Sequence, residues 1–424
     1  MRYHLHPLPN GVTLALAPMP HMTSVSVGFW IGIGGRHEPA ALSGISHFIE
    51  HMLFKGTRRR SAREISQAVE GIGGYLNAFT SEEHTCFYSK ARHDRLADLL
   101  DVLADMLLES RFAPADLATE RDVIKEEIAM YLDQPQQHVQ EVLNAITWPD
   151  HPLGRPLTGT QASVDALTRS QLQTYHARHY VAGTTVMAVA GRFELRPTIA
   201  RLTRLARHWP TGARPESVPA TWRQAAPVVR FVTRRAAQTQ LALGLRTCAR
   251  HDERRFALRL LNILLGENMS SRLFQEIREE TGLAYSIYSS LSFFADAGDL
   301  VISAGLEPEN LLKAVRLIVR ELRRFKAEAP GAAEFRRARD YALGQIDLSL
   351  ENTESQMLNL GEQVLGYRTV VPPEVTKRRL ARVTPAEIRA VAREFFQPGR
   401  LNLALVTPTR QEPRLAAALN ALAD

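Results

Sequence analysis

The strongest constraint on the fold is an internal repeat. Residues 167–183 align without a gap with residues 383–399, at an offset of 216 residues (383 − 167). Tyr180 falls on Phe396 in this alignment, and each copy is followed by an alternating apolar run that predicts a β-strand. A chain of 424 residues is too long for one hydrophobic core. The repeat therefore predicts two copies of one unit of about two hundred residues, an ordinary domain size.

Residues 211–227 separate the two copies. They contain Gly212, Pro215, Pro219 and Pro227, and such residues are typical of a linker. We predict a first domain at 1–212, a linker at 213–227 and a homologous second domain at 228–424. Strands followed by amphipathic helices in each copy predict a mixed β-sheet with helices packed on it. The expected fold class is therefore α+β.

One predicted helix in the first copy carries two histidines. Its apolar residues recur at helical spacing and would bury one side of the helix; they are Ile45, Phe48, Ile49, Met52 and Leu53. We expect Ser43 to be the N-cap and Gly56 to stop the helix. His47 and His51 then lie one turn apart on one face and can direct two imidazoles at one metal ion, with Glu50 beside them.

This H-x-x-E-H pattern also fits the solvated face of an ordinary helix when it is taken alone. A zinc site needs a third protein ligand. A second helix, predicted at 114–132, carries Glu120, Glu126 and Glu127. Glu120 and Glu127 share a face because they are about two helical turns apart, while Glu126 would point away. Glu127 is the candidate ligand, although acidic residues on a helix are usually solvated.

The second copy has no histidine pair. His251 is the last histidine of the chain, and where the metal helix would lie the second copy has an apolar run at 256–265 followed by residues 266–271. We infer that the second copy retains the fold without the metal ligands.

Composition argues against several other classes of protein. The net charge is +7, but the basic residues are scattered without interleaved aromatics, so we expect no nucleic-acid partner. No apolar run approaches a membrane span and the N-terminus lacks a signal core, so we expect no membrane partner. Cys86 and Cys248 are the two cysteines, and free thiols fit a reducing compartment. We expect a cytoplasmic protein; a cleaved signal ahead of the given sequence is the alternative.

Several motifs in a fixed order resemble the pitrilysin/insulinase family of zinc metallopeptidases (inverzincins), in the branch with processing peptidases. Besides the histidine motif, they lie at residues 35–39, 77–85 and 270–285, and the resemblance covers nearly the whole chain. It implies an endopeptidase that hydrolyses unfolded peptides or short polypeptides. It also implies one zinc ion per chain, bound by the side chains of His47, His51 and Glu127.

The resemblance further implies a role for each remaining site residue. Glu50 would be the base that activates a zinc-bound water, and Glu120 would orient a ligand histidine. An edge strand would hold the substrate backbone, and two residues of the second domain would stabilise the oxyanion; these are Asn77 and Ala78, and Arg278 and Tyr285. Without the resemblance, Asn77 fits a turn residue, Arg278 a surface ion pair and Tyr285 a half-buried aromatic residue.

Members of this family enclose substrate between two two-domain halves. This implies a homodimer in which each site takes Arg278 and Tyr285 from the partner subunit, or a heterodimer with a related chain. One alternative function is a non-catalytic structural or regulatory subunit of a two-chain peptidase. Another is a metal-dependent hydrolase that acts on a different bond. A divalent ion other than zinc also fits such nitrogen and oxygen ligands. Relatives are richer in glycine at residues 266–271, which argues against a substrate-presenting role for that loop here.

Overall fold

The computed structural model describes residues 2–221, 223–408 and 412–423. Contacts between Cα atoms divide the chain into two compact units. Unit 1 comprises Met1–Ala129, Arg155–Val218 and Leu348–Val371. Unit 2 comprises Met130–Gly154, Pro219–Asp347 and Pro372–Asp424. Each unit thus takes in segments from both halves of the sequence.

Among the residues that the structure describes, each unit contains one β-sheet. The strands of unit 1 are β1 (His4–Pro7), β2 (Thr13–Pro18), β3 (Ser24–Ile31), β4 (Tyr75–Thr80), β5 (Thr85–Arg92) and β6 (Thr185–Gly191). The strands of unit 2 are β7 (Val228–Thr233), β8 (Thr239–Thr247), β9 (Ala284–Phe293), β10 (Gly298–Leu306) and β11 (Leu401–Thr407). The sheet orders are β1-β2-β6-β3-β5-β4 and β7-β11-β8-β10-β9, which places β4 and β9 at edges. The pairs β2–β6 and β7–β11 are parallel and the others antiparallel, so both sheets are mixed.

Helices cover these sheets. Those in the first half of the sequence are α1 (Ile45–Leu53), α2 (Ala62–Glu70), α3 (Leu96–Glu109), α4 (Pro114–Asp133), α5 (Pro135–Thr147), α6 (Gln161–Ala166), α7 (Arg169–His179) and α8 (Leu195–Ala206). Those in the second half are α9 (Arg255–Asn262), α10 (Leu311–Ala327), α11 (Ala332–Ser349), α12 (Thr353–Tyr367), α13 (Pro373–Arg382), α14 (Pro385–Phe395) and α15 (Glu412–Asn420). None of the helices in the described ranges combines the length and apolar character that a membrane crossing needs.

The sheet of unit 1 is buried on both faces. Alternate residues of a strand point to opposite sides, so one strand contributes to both cores. Val27 and Phe29 of β3 belong to the core that includes Phe48 of α1. Trp30, on the other face, packs in a second core with Met357 of α12. Backbone approach is close here, since a Cβ atom at Gly28 would lie 2.2 Å from the sulfur of Met357.

The repeat is visible element by element. Helices α7 and α14, and strands β6 and β11, begin at positions separated by the offset of 216 residues (385 − 169 and 401 − 185). Both helices start with a capping box, Thr168 with Gln171 and Thr384 with Glu387. The strand order β2-β6-β3-β5-β4 of unit 1 matches the order of all five strands of unit 2. The predicted α+β fold and its duplication are therefore confirmed.

Two equivalent helices are exchanged between the units. Helix α5 follows α4 and α12 follows α11, and the two helices begin 218 residues apart (353 − 135). Leu143 of α5 belongs to a core with Ala242 of β8 in unit 2, whereas Leu360 of α12 lies in the second core of unit 1. The two domains predicted from the sequence, 1–212 and 228–424, are contiguous and so do not include this exchange.

Helices α2 and α1 are capped differently at their starts. Helix α2 starts with a capping box, in which the carboxylate of Glu64 accepts from the Ser61 amide at 2.8 Å. The predicted N-cap of α1 is wrong. Gly44, with φ 91°, occupies that position, and Ser43 lies outside the helix. The first amides of α1 instead meet the carboxylate of Glu38, which is distant by several residues and was therefore missed.

Candidate metal centre

Helix α1 is buried on one side and presents polar groups on the other. Phe48, Ile49 and Met52 are buried in the core of unit 1. The side chains of His47 and His51 are partly accessible, with 12% and 21% of their surface exposed. Their rings are neighbours, with centroids 4.6 Å apart, as expected for residues one helical turn apart.

Helix α4 brings a carboxylate to the two imidazoles. One oxygen of Glu127, Oε2, lies 3.7 Å from Nε2 of His47 and 3.6 Å from Nε2 of His51. One ligand atom from each of the three residues can be chosen so that all lie within 4.8 Å of one another. The structure therefore brings together the three residues that the sequence predicted as ligands.

This donor set fits a zinc ion. Zinc is bound at about 2.0–2.2 Å by imidazole nitrogen and carboxylate oxygen, and a tetrahedral arrangement then separates neighbouring ligand atoms by about 3.3–3.6 Å. The two histidine–carboxylate separations, 3.7 and 3.6 Å, are close to that spacing. Three protein ligands leave a fourth position open, as in catalytic zinc sites.

Glu120 lies one step behind the cluster and contacts His51 on its far side. Its Oε2 is 3.0 Å from Nδ1 of His51, and its Oε1 is 2.6 Å from the ammonium of Lys55. The residue is almost fully buried. A hydrogen bond from Nδ1–H to a carboxylate leaves the Nε2 lone pair of the same ring free to bind a metal. Glu120 can therefore fix the orientation of His51.

The protonation of the two histidines differs in the metal-free protein. Burial and the neighbouring His51 lower the pKa of His47 to about 4, although Glu127 opposes this. Burial also lowers the pKa of His51, but its hydrogen bonds to Glu120 and Glu127 outweigh burial and raise the pKa to about 9. A metal ligand must be a neutral imidazole. His47 is already neutral at pH 7, whereas His51 must lose a proton when a metal binds.

Glu50 points toward the end of strand β4. The hydroxyl of Thr80 donates to its Oε2 at 2.5 Å. Burial raises the pKa of the Glu50 carboxyl, which the Thr80 hydrogen bond and His51 partly oppose. Thr80 was not among the residues expected at the site, and its position three residues after Asn77 in the sequence motif was the available signal.

Asn77 and Ala78 lie on strand β4, at the edge of the sheet of unit 1. Asn77 is exposed, and its side-chain oxygen accepts from the Ala78 amide at 2.8 Å. Strand β4 pairs with β5 on one side, where Asn77 lies opposite Tyr88. An edge strand of this kind can add an extended peptide through its backbone.

Arg278 and Tyr285 belong to unit 2. Arg278 lies on the π-helical segment Phe274–Glu280, where its guanidinium is 4.8 Å from the ring of Phe274. Tyr285 lies on the edge strand β9 and is 78% exposed, so it is not the half-buried aromatic residue that the sequence alone suggested. Exposed polar groups of this kind are available to a ligand.

The sequence matches two protein-family models and is similar to several curated proteins. The model for insulinase (peptidase family M16) matches residues 13–161, and the model for the peptidase M16 inactive domain matches residues 166–341. An uncharacterised zinc protease of Mycobacterium tuberculosis is 39% identical over 422 residues, which cover 98% of this chain and 95% of the relative. An uncharacterised zinc protease of Bacillus subtilis is 36% identical over 409 residues, 95% of this chain and 98% of the relative.

Solved structures share the fold. A protease from Helicobacter pylori aligns with a TM-score of 0.89 and 22% identity, covering 96% of this chain and 99% of that one. A structure described as a peptidase M16 inactive domain from Pseudomonas fluorescens aligns with a TM-score of 0.90 and 18% identity, covering 97% and 99%. With sequence matches along nearly its whole length, this chain belongs to the insulinase family, peptidase family M16.

Proposed function

We propose that this protein is a zinc-dependent endopeptidase that hydrolyses peptide bonds in unfolded peptides or short polypeptides. The observation that carries the proposal is the convergence of two imidazoles from α1 and one carboxylate from α4. The Glu50 carboxylate lies on α1, beside the two histidines. The curated relatives are named zinc proteases, which supports the same assignment.

His47, His51 and Glu127 would hold the zinc ion. When bound, zinc supplies a Lewis acid that polarises the scissile carbonyl and lowers the pKa of water in the open position. Glu120 supports this role by accepting a hydrogen bond from the outer nitrogen of His51.

Glu50 would move the proton. A carboxylate in this position can accept a proton from the attacking water and deliver it to the leaving amine. The buried setting of Glu50 favours this cycle, because burial raises its pKa toward the working range of a general base. The Thr80 hydroxyl donates to Oε2 of Glu50 at 2.5 Å, so Oε1 would be the oxygen that accepts the proton.

The substrate would bind as an extra strand along β4. Main-chain hydrogen bonds to an edge strand give affinity with little demand on side chains, which fits unfolded peptides. Asn77, exposed on this strand, is the side chain proposed to orient the peptide backbone. The peptide-binding edge is the feature that favours a peptidase over a hydrolase of another bond.

Arg278 and Tyr285 would stabilise the oxyanion that develops during attack. A cationic or hydroxyl donor aimed at that oxygen typically contributes about 3–4 kcal/mol to catalysis. Tyr285 is largely exposed on unit 2 and accessible to such a ligand. We propose that these residues act from the partner subunit of a homodimer.

Hydrolysis of a quenched fluorescent peptide tests the proposal, with zinc quantified in the same preparation. Glu50→Gln should retain zinc and lower kcat by about 10²–10⁴-fold, since the amide cannot accept the proton. The matched control is Glu126→Gln. It makes the same chemical change on α4, at a position that points away from the predicted ligand face.

The outcomes separate the candidate functions. Zinc bound by the wild type and by Glu50→Gln, with cleavage by the wild type and Glu126→Gln but not by Glu50→Gln, supports the peptidase. Wild-type protein that binds zinc but leaves a broad peptide library intact, alone and with a related chain, contradicts it. Absence of both metal and cleavage would favour a structural or regulatory subunit.

A further inference from the structure

We propose that residues 34–38 form a brace that positions the metal-binding helix α1 against the end of strand β4, with Glu38 as its main positioning residue. This inference deepens the proposed function and rests on it where catalysis is concerned. The brace itself is defined by hydrogen bonds and burial, which are independent of any bound ion.

Glu38 holds the start of α1. Its two carboxylate oxygens accept from the amides of Gly44 at 2.8 Å and Ser46 at 2.9 Å, and the residue is 4% exposed. The first amides of a helix have no partner within the helix and need an acceptor. Gly44 has no side chain to provide one, and a carboxylate is favourable at this end of a helix. Glu38 therefore caps the helix turn that contains His47.

The same segment holds the turn that follows β4. The amides of Gly35 and Arg36 donate to the carbonyls of Ser81 at 3.0 Å and Glu82 at 2.7 Å. The contact is close, since a Cβ atom at Gly34 would lie 2.1 Å from the Ser81 carbonyl oxygen. A glycine is required here because any side chain would separate the two strands of backbone.

A buried ion pair fastens this second contact. The guanidinium of Arg36 donates to the carboxylate of Glu83 at 2.9 Å, and the two residues are 1% and 5% exposed. A second guanidinium nitrogen of Arg36 donates to the Val218 carbonyl at 2.9 Å. Buried bonds between charged groups restrict motion because breaking them leaves a charge without a partner in the protein interior.

These contacts converge on the Glu50–Thr80 pair. Glu50 lies on the helix that Glu38 caps, and Thr80 directly precedes the turn that Arg36 holds. The hydrogen bond between them, at 2.5 Å, spans the two elements that the brace connects. We infer that the brace sets the distance between the proposed base and the peptide-binding edge.

The test variant is Glu38→Gln, which keeps the shape of the side chain. Its one oxygen can accept from one of the two backbone amides, Gly44 or Ser46, while its NH₂ group faces the other and cannot accept. The matched control is Glu64→Gln, the same change at the capping carboxylate of α2. Hydrogen exchange of residues 44–50 is measured by mass spectrometry in the metal-free proteins. Zinc affinity is then measured against a competing chelator, and kcat and KM with a fluorescent peptide.

In Glu38→Gln we expect residues 44–50 to exchange about tenfold faster, and the zinc dissociation constant to rise about tenfold, the lower end of the range for residues that support metal ligands. We expect kcat to fall while KM stays near the wild-type value. Glu64→Gln should match the wild type in all of these quantities for α1.

A folded Glu38→Gln protein with wild-type exchange in residues 44–50 would overturn the brace. If that variant does not fold, Glu38→Asp, whose shorter side chain withdraws both acceptor oxygens from the Gly44 and Ser46 amides, is judged by the same criterion. If the wild type neither binds zinc nor cleaves peptide, the proposed function fails, but the exchange of residues 44–50 still decides whether Glu38 holds the helix.

Discussion

Lys55 reaches the candidate metal centre through Glu120. Its ammonium lies 2.6 Å from one oxygen of Glu120, whose other oxygen contacts His51 at 3.0 Å. The pKa of Glu120 is held below its ordinary value by these two partners, which outweigh the opposing effect of burial. Lys55 therefore helps keep an anionic partner for His51 in a buried position.

Replacing Lys55 by methionine should weaken metal binding with little effect on folding. Without the ammonium, the ionised form of Glu120 is less stabilised, and Glu120 orients His51 less firmly. We therefore expect the zinc dissociation constant to rise about tenfold. The free energy of unfolding of the metal-free protein should change by less than about 1 kcal/mol, because Lys55 is 36% exposed. Chelator competition and urea unfolding measure the two quantities.

Lys55→Arg is the control for this prediction. It keeps the positive charge and should retain most of the zinc affinity. Equal affinities for the methionine variant and the wild type would show that Glu120 orients His51 without help from Lys55.

Helical periodicity was sufficient to place His47 and His51 on one face of α1. Glu127 lies on α4, and its place at the site was implied by the family resemblance. The identity of the partner between helices is a different problem. Lys55 with Glu120 and Thr80 with Glu50 join different elements. Only the packing of those elements brings the atoms together, so no local pattern could have predicted these pairs.

Helix α7 contains a histidine that should make unit 1 sensitive to acid. Burial lowers the pKa of His176 from 6.5 to about 4, although a hydrogen bond with the Leu107 backbone opposes this. The folded protein thus keeps His176 neutral at pH 5, whereas the unfolded chain protonates it below about pH 6.5. The stabilising contribution is present above pH 6.5 and is lost as the pH falls toward 4.

His176→Gln should reduce this acid sensitivity. Between pH 7 and pH 5 the metal-free wild type should lose about 2 kcal/mol of unfolding free energy that the variant keeps, because glutamine does not titrate. Glutamine can also retain a hydrogen bond to the Leu107 backbone. Urea unfolding at the two pH values, with a chelator present, measures the difference.

The control is His208→Gln, the same substitution at an exposed histidine of unit 1. Because this side chain is not buried, the variant should lose as much stability between the two pH values as the wild type. An equal loss in His176→Gln would mean that other groups account for acid sensitivity.

At the scale of elements, helix starts divide into local and distant cases. The caps of α2, α7 and α14 come from residues adjacent in sequence and are typical capping boxes. The cap of α1 comes from Glu38, six residues before Gly44, across an intervening turn. Local capping rules favour Ser43 because they consider only the positions next to the helix start. The Glu38 carboxylate lies outside that range in sequence, although it contacts the helix start in the fold.

At the scale of the whole molecule, the repeat made the fold class predictable. Two copies of one pattern imply two similar sheets, and the matching strand orders agree with that expectation. The exchange of α5 and α12 could not be predicted in the same way. An apolar helix face can cover either of two similar sheets, so the periodicity of α5 does not say whether Ala242 of unit 2 or a residue of unit 1 lies beneath it.

The proposed homodimer can be tested by subunit complementation. If Arg278 and Tyr285 act across the dimer, a site needs Glu50 from one chain and Arg278 from the other. Glu50→Gln and Arg278→Ala proteins should each be nearly inactive alone. Mixing them after reversible dissociation should form a heterodimer in which one of two sites is intact.

Random pairing of equal amounts gives heterodimers as half of all dimers, so the mixture should recover about one quarter of wild-type activity. Peptide hydrolysis before and after mixing measures the recovery, and light scattering confirms the dimer. Mixing Glu50→Gln with His47→Ala is the control, since both changes affect one set of residues and no intact site can form. If the first mixture stays as inactive as this control while dimers exchange subunits, Arg278 acts within its own chain, and a strictly monomeric protein with full activity would lead to the same conclusion.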